Sequence, residues 1–321
     1  MHNSQEIAKN SKTMSSTKIK VVGVGGSGSN AISRMSRCNI KGIELIAVNA
    51  DAQDLDKIDA DKKIRIGRKI TKGLGTGMNP EVGREAAEEQ IGEIEDYLKG
   101  ADVVFITCGL GGGCGSGASS VIAEAAKRNG ALTIAIVTKP FSFEGAQRMD
   151  VANSALKKLK EKVDALITIS NDRLLSVLDP QITVLNAFWA CDEILRQAVQ
   201  GISDLIVLPG IINIDFADIK GLMKDSGSAL FGIGIATGPE RAKEAAKKAL
   251  ESPLLDVSYK GAKGILFNIS GGKDISLAEI DEAAKIITEE ISSGAKVVFG
   301  AIQNEKLKEG EIKVTVIATG V

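Results

Sequence analysis

Residues 101–130 read ADVVFITCGLGGGCGSGASSVIAEAAKRNG. An apolar, β-branched run over 101–107 enters a stretch, 108–117, in which six of ten positions are glycine. Good helix formers follow from Ala118 to Arg128 and close on Asn129-Gly130. The pattern predicts strand, glycine turn and helix, a βα unit. Glycine tolerates positive φ and lets backbone N–H groups approach a ligand closely. A helix N-terminus adds unpaired donors and the positive end of a dipole. Together these make an anion site, most often for phosphate. A bare turn needs one or two glycines, so six point to a phosphate cradle.

The same alternation spreads outward. Strands are predicted over 18–24, 43–48, 64–66, 132–137 and 165–170. Helices are predicted from Ala31, over 79–99, where Asn79-Pro80-Glu81 makes a good start, and over 145–162. This means a mostly parallel sheet covered on both faces. Near residue 183 the pattern changes. Val184, Leu185, Phe188, Cys191, Leu195, Ala198, Ile202 and Leu205 fall at helical spacing and predict one long buried helix over 183–208. Strands over 229–236, 264–269, 297–302 and 312–318, with helices over 240–251 and 277–291, predict a second, smaller α/β domain. The fold class is therefore α/β: a Rossmann-like domain over 18–182, a central helix and a domain over 209–321, behind a polar, disordered tail at 1–17.

Composition narrows the function. Lys plus Arg number 40 against 41 Asp plus Glu, a formal charge of -1, which lacks the basic footprint of a nucleic-acid protein. No apolar run reaches the length of a membrane span. The polar N-terminus is not a secretory signal. Cys38, Cys108, Cys114 and Cys191 form no CxxC pair, which suggests a reducing cytosol. The single histidine, His2, leaves a zinc site few partners and removes Ser-His-Asp and Cys-His catalysis.

The first glycine loop matches G-x-G-x-x-G at Gly23, Gly25 and Gly28, with Asp51 placed for a ribose contact. That suggests a dinucleotide. Two further glycine clusters, 73–77 and 109–117, weigh against it, since several loops at one edge suit a chain of phosphates. There is no GxxxxGK[ST], so phosphate charge falls to backbone dipoles, a bound Mg²⁺ and an arginine. No protein side chain is assigned to the metal.

GVGGSGSN (23–30), AVNADAQ (47–53), ITKGLGTGMNPEVGREAA (70–87), GLGGGCGSG (109–117), TKPFSFEGAQR (138–148), ISNDRLL (169–175) and NIDFADI (213–219) occur in order. In these motifs the chain resembles the FtsZ family, bacterial and archaeal relatives of tubulin, over about 18–321. The resemblance implies a GTP-binding domain at 18–182 and GTP-dependent head-to-tail filaments that drive cell division. By position, Gly25, Gly26, Ser27 and Asn30 lie in the first nucleotide loop, and Asn49 and Asp51 in the next. Gly111, Gly112, Gly113, Cys114, Gly115, Ser116 and Gly117 wrap the phosphates. Glu144 and Arg148 meet ribose and phosphate, Asn171 reaches the sugar or base, and Phe188 and Asp192 hold guanine. Asp192 suits that role, because a carboxylate accepts from guanine's ring N–H and amine together.

Read as residues alone, several of these have plainer alternatives. Phe188 lies on the apolar stripe of the long helix, as a core residue would. Glu144 and Arg148 are four apart, as a surface ion pair would be. Asn171-Asp172 suits a helix cap. Hydrolysis needs a group to orient water. The phosphate loops offer no carboxylate, whereas Asp215 and Asp218 follow Asn213 just past the long helix, where they also suit helix capping. The resemblance implies that this segment completes the site of the neighbouring subunit, so that hydrolysis follows polymerisation.

Cys114 and Ser116 stand where the family usually carries Thr, which predicts slow hydrolysis. Ser119-Ser120 replaces a common Ala-Pro. Many relatives continue beyond the position of Val321 into a linker and a tether-binding peptide. The partners implied are further copies of the chain and division-machinery proteins, with no nucleic acid and no direct membrane insertion, in the cytoplasm at the division site. A cell-shaping member of the tubulin superfamily and a dinucleotide enzyme are the alternatives.

Overall fold

The computed structural model describes residues 17–38, 40, 42–176, 178–252, 258–289, 291–304 and 307–320. Apart from Thr17, the predicted tail, His2 included, lies outside the described residues.

The chain alternates as the periodicity predicts. The first half runs β1 (Ile19–Val24), α1 (Gly25–Arg37), β2 (Ile43–Asn49), α2 (Ala52–Asp56), β3 (Lys62–Arg65), α3 (Pro80–Glu89), α4 (Ile91–Leu98), β4 (Val103–Gly109), α5 (Gly113–Arg128), β5 (Leu132–Lys139), a 3-10 turn (Ser142–Glu144), α6 (Ala146–Lys160), β6 (Ala165–Ser170) and α7 (Asn171–Leu175). The second runs α8 (Val184–Val207), α9 (Phe216–Met223), β7 (Gly227–Thr237), α10 (Arg241–Leu250), β8 (Gly264–Gly271), α11 (Leu277–Thr288), β9 (Lys296–Gln303) and β10 (Glu311–Thr319).

Among the described residues all ten strands form one mixed, mostly parallel sheet in the order β3-β2-β1-β4-β5-β6-β7-β10-β8-β9. Strands β1 to β7 pair in parallel, and β10 runs antiparallel to both of its neighbours. The amino-terminal half has the doubly wound order 3-2-1-4-5-6, in which ligands bind where the winding reverses, beyond the carboxyl ends of β1 and β4. The two halves meet through Ala165–Ile167 of β6 against Gly227–Ala229 of β7.

Period-two alternation sorts side chains to the two faces. Val21 and Phe105 point to the face covered by α1 and α8, whereas Val22 and Ile106 point to the face covered by α3 to α6. In the second half, α10 and α11 pack on Ile265, Phe267 and Val314.

Four elements depart from the predicted pattern, the first being α1, which begins at Gly25 and not at Ala31. The helix predicted over 79–99 breaks at Gln90 (φ -107°, ψ 21°), whose side-chain oxygen accepts the Gly67 N–H instead. The helix after the glycine run starts inside it, at Gly113. The predicted stripe of α8 is buried only from Cys191 onward. Val184 is 64% and Leu185 74% exposed.

Candidate functional site

A cavity of about 350 Å³ opens where the topology places it, at the carboxyl ends of β1, β2, β4, β5 and β6. Gly25, Gly26 and Ser27 of α1 form one wall, and Gly112 with Gly113, Cys114 and Gly115 of α5 forms another. Neither helix has a side-chain N-cap, Val24 preceding α1 and Gly112 preceding α5. Apart from the Gly25 N–H, which bonds the Cys114 sulfur, their first-turn N–H groups therefore have no side-chain cap at the cavity wall, which is what an anion requires. The loops touch: a Cβ on Gly25, whose φ is +72°, would lie 3.0 Å from the Gly115 nitrogen.

The glycine run does more than meet a ligand. A Cβ on Gly117 would lie 2.0 Å from the Pro80 carbonyl oxygen, so Gly117 is the place where α3 closes on α5. Ser116 Oγ, buried, accepts the Gly111 N–H at 2.9 Å and holds the turn from within. Gly111, Ser116 and Gly117 thus support the cradle without lining it, and exposed Asn30 also stands outside the wall.

Asn49 and Asp51 line the cavity beyond β2, where Asn49 Oδ1 accepts the Asp51 N–H at 3.2 Å and Asp51 Oδ1 caps α2 through the Asp54 N–H at 3.1 Å. Asp54, Gly75 and Thr76 join them. Sequence reasoning marked the 73–77 loop as glycine-rich and missed Asp54 and Thr76. Among the described residues no three His, Cys, Asp or Glu cluster as a metal cage. The donors present suit Mg²⁺ in its usual form, one or two carboxylates with the remaining positions on phosphate and water.

At the other end the wall is aromatic and polar. Phe188 is 39% exposed and faces the cavity, so it is not core. It meets Phe141 edge-on at 5.3 Å, and Phe141 stacks on Phe143 at 4.9 Å. Glu144 and Arg148 do form an ion pair, and both also line the cavity. Asn171 caps nothing: Ser170 is the N-cap of α7, and Asn171 Oδ1 is buried without a hydrogen-bond partner. It lines the cavity as an acceptor awaiting a donor.

Asp192 is buried and does not itself line the cavity; Cys191, next to it in α8, does, and burial pushes its thiol up to about 12. Burial also pushes the Asp192 carboxyl up to about 6, while the Arg34 guanidinium and the Ser27 hydroxyl pull it down.

The three predicted catalytic residues stand elsewhere. Asn213, Asp215 and Asp218 are exposed and line no part of the cavity. Asp215 Oδ1 accepts the Ala217 N–H at 3.0 Å as the N-cap of α9, Asn213 Oδ1 accepts the Gly210 N–H at 2.7 Å, and Asp218 Oδ1 lies 3.6 Å from Lys296 Nζ. Phe188 lies near the start of α8 and this segment follows its end; Phe188 and the last residue of the helix, Val207, are about 28 Å apart at 1.5 Å of rise per residue.

Comparison with known proteins agrees with this geometry. A family model described as "Tubulin/FtsZ family, GTPase domain" matches residues 18–179, and one described as "FtsZ family, C-terminal domain" matches 227–321. An empty FtsZ dimer from M. jannaschii superimposes with a TM-score of 0.94 at 43% identity, over 100% of this chain and 93% of that one. A CetZ2 protofilament from Haloferax volcanii, bound to GTPγS, superimposes with a TM-score of 0.79 at 22% identity, over 94% and 92%, a likeness of fold alone.

Proposed function

The chain belongs to the tubulin/FtsZ family and is a GTPase, and from that premise we propose that it assembles head to tail into filaments that drive cell division. Each subunit binds GTP in its own cavity, and its neighbour's 213–218 segment completes the hydrolytic site. One observation carries this reading. The only carboxylates assigned to catalysis, Asp215 and Asp218, are exposed beyond the end of α8, whose early residues line the cavity, and they line no part of it.

The triphosphate binds against the uncapped starts of α1 and α5, with Arg148 at its side. Phe188 offers a face to the base, and Asp192 and Asn171 Oδ1 accept from guanine's donor-rich edge. Mg²⁺ would be held by the phosphates with Asp51, Asp54 and Thr76, neutralising charge that builds on the phosphates. The incoming Asp215 and Asp218 orient water or take its proton. Apolar side chains are exposed at both ends, Leu74 and Leu185 beside the cavity and Ile211 and Phe299 near the acidic segment. Such patches mark interaction surfaces. No helix among the described residues is long and apolar enough to cross a membrane. The proposed setting is the cytoplasmic division site, with division-machinery proteins as further partners.

The test follows GTP turnover per molecule and light scattering against protein concentration. Turnover should rise with concentration above a threshold, together with scattering. A turnover independent of concentration would show that one chain holds a complete site.

A further inference from the structure

Two residues beside Asp192 have no part in the reading so far. Trp189, the single tryptophan of the chain, is 57% exposed, and it lies one turn before Asp192 on the same side of α8. Arg34 comes from α1 and fits between them. Its guanidinium carbon lies 4.0 Å from the Trp189 ring centroid, and its Nε lies 3.4 Å from Asp192 Oδ2. Ser27 Oγ stands 3.5 Å from Asp192 Oδ1. Both polar contacts are longer than good hydrogen bonds. Indeed Arg34 Nε is buried with no hydrogen-bond partner. The arginine therefore balances the carboxylate's charge without consuming its lone pairs.

We propose that Arg34, braced on the Trp189 ring, is the positioning residue that keeps Asp192 a two-acceptor carboxylate and thereby sets guanine over adenine. The proposal rests on Asp192 reading the base. Guanine presents two donors side by side, N1–H and the 2-amino group, and an ionised carboxylate accepts both. A protonated carboxyl has one acceptor and one donor. That pattern matches adenine, whose N6–H donates and whose N1 accepts. Protonation of Asp192 would thus reverse the specificity rather than merely weaken it.

The surroundings make protonation a real alternative. Asp192 is 7% exposed, and burial already pushes its carboxyl up to about 6 with Arg34 in place. The other titratable groups nearby do not replace that cation. Cys191 is a neutral thiol, and Glu144 and Glu193 are tied to Arg148 and Arg196. The Trp189 face holds the guanidinium by a cation–π contact, so the charge stays against Asp192 when the base is absent.

The experiment titrates GDP and ADP calorimetrically into the whole chain between pH 5 and 8.5, using the GDP-to-ADP affinity ratio, in which ionisation of the shared phosphates cancels. In wild type the ratio should fall as pH drops through about 6. In Arg34→Met the fall should begin at higher pH, the ratio at pH 6.5 should drop about threefold for a first unit's rise of the carboxyl and more steeply beyond it, and it should recover by pH 8.5. Arg34→Lys should stay near wild type. Asp192→Asn, which carries one acceptor and one donor at every pH, should lose the guanine preference throughout. If Asp192→Asn keeps that preference, Asp192 does not read the base and the underlying assignment fails. If Asp192→Asn loses it while Arg34→Met shows the wild-type ratio at every pH, the role of Arg34 alone is overturned. Should Arg34→Met fail to fold by circular dichroism, Trp189→Leu supplies the test. It removes the brace and keeps the charge, so the midpoint should move up by less, and an unmoved midpoint overturns the proposal.

Discussion

Cys114 is the second residue of α5 and lines the cavity at the phosphate loop. Burial pushes its thiol up to about 11, against backbone hydrogen bonds from Ala50 and Gly25. The loop thus carries a neutral thiol, a weak donor and weak acceptor, where a hydroxyl would do both jobs better. Cys114→Thr should raise steady-state GTP turnover about fivefold, the worth of a hydrogen bond near 1 kcal/mol. Nucleotide affinity should hold within about twofold, since the backbone donors are unchanged. A slower variant would show that the methyl crowds the loop. At this scale the sequence is legible where residues are consecutive, as the glycine run is. Arg34 and Trp189 were not, because their contact joins α1 to α8 across some 155 positions of chain, and no local spacing records it. Asn171 was ambiguous until its side chain proved to cap nothing.

Helices in this fold are docked by ion pairs as well as by apolar stripes, and α10 and α11 show it best. Arg241 is 7% exposed and donates through Nε to Glu279 Oε1 at 2.6 Å and through Nη1 to Asp274 Oδ2 at 2.5 Å. The Arg241 hydrogen bond holds the Glu279 carboxyl at about 2, well below its ordinary 4.5, against the opposing effect of burial. A depressed native value means that the stabilisation is complete above pH 4.5 and is lost as pH falls towards 2. Glu279→Gln keeps the side chain's length and its capping contact with Ser276 but removes the charge. It should cost about 1.5–3 kcal/mol at neutral pH, read from urea midpoints. The gap between variant and wild type should shrink at pH 3, and an undiminished gap would refute the linkage. Most element types were readable from periodicity. The misses have physical causes. The break at Gln90 rests on a side-chain bond to Gly67, a tertiary contact. The first turns of α8 carry a core-like pattern, yet Val184 and Leu185 are exposed and Phe188 lines the cavity.

The halves of the molecule are joined by a single sheet and by α8, whose Leu195, Ala198, Val199 and Ile202 are wholly buried against it. The pattern of strands predicted both halves, but not that β6 and β7 would pair and make them continuous, since that pairing spans the whole of α8. The consequence is mechanical: Phe188 and Cys191, early in α8, line the cavity, whereas the acidic segment follows the helix's far end, with Phe188 and Val207 about 28 Å apart at 1.5 Å per residue. Under the proposed reading Asp218 serves a neighbour's nucleotide rather than its own. Two defective variants should therefore repair each other. Asp218→Ala should bind GTP and assemble yet turn over slowly, because it cannot complete its neighbour's site. Asp192→Ala should bind GTP poorly while keeping a sound 213–218 segment. Mixed at equal concentration, some contacts set a loaded Asp218→Ala cavity against an intact Asp218 from the other variant. At random pairing about a quarter of contacts have that order, so turnover should recover towards a corresponding fraction of wild type, provided both assemble. Varying the ratio should give a maximum at intermediate mixtures, since each productive contact needs one chain of each kind in one order. A mixture that stays inactive at every ratio, although scattering shows that both variants enter the same filaments, would mean that the acidic segment has no catalytic part in its neighbour's site.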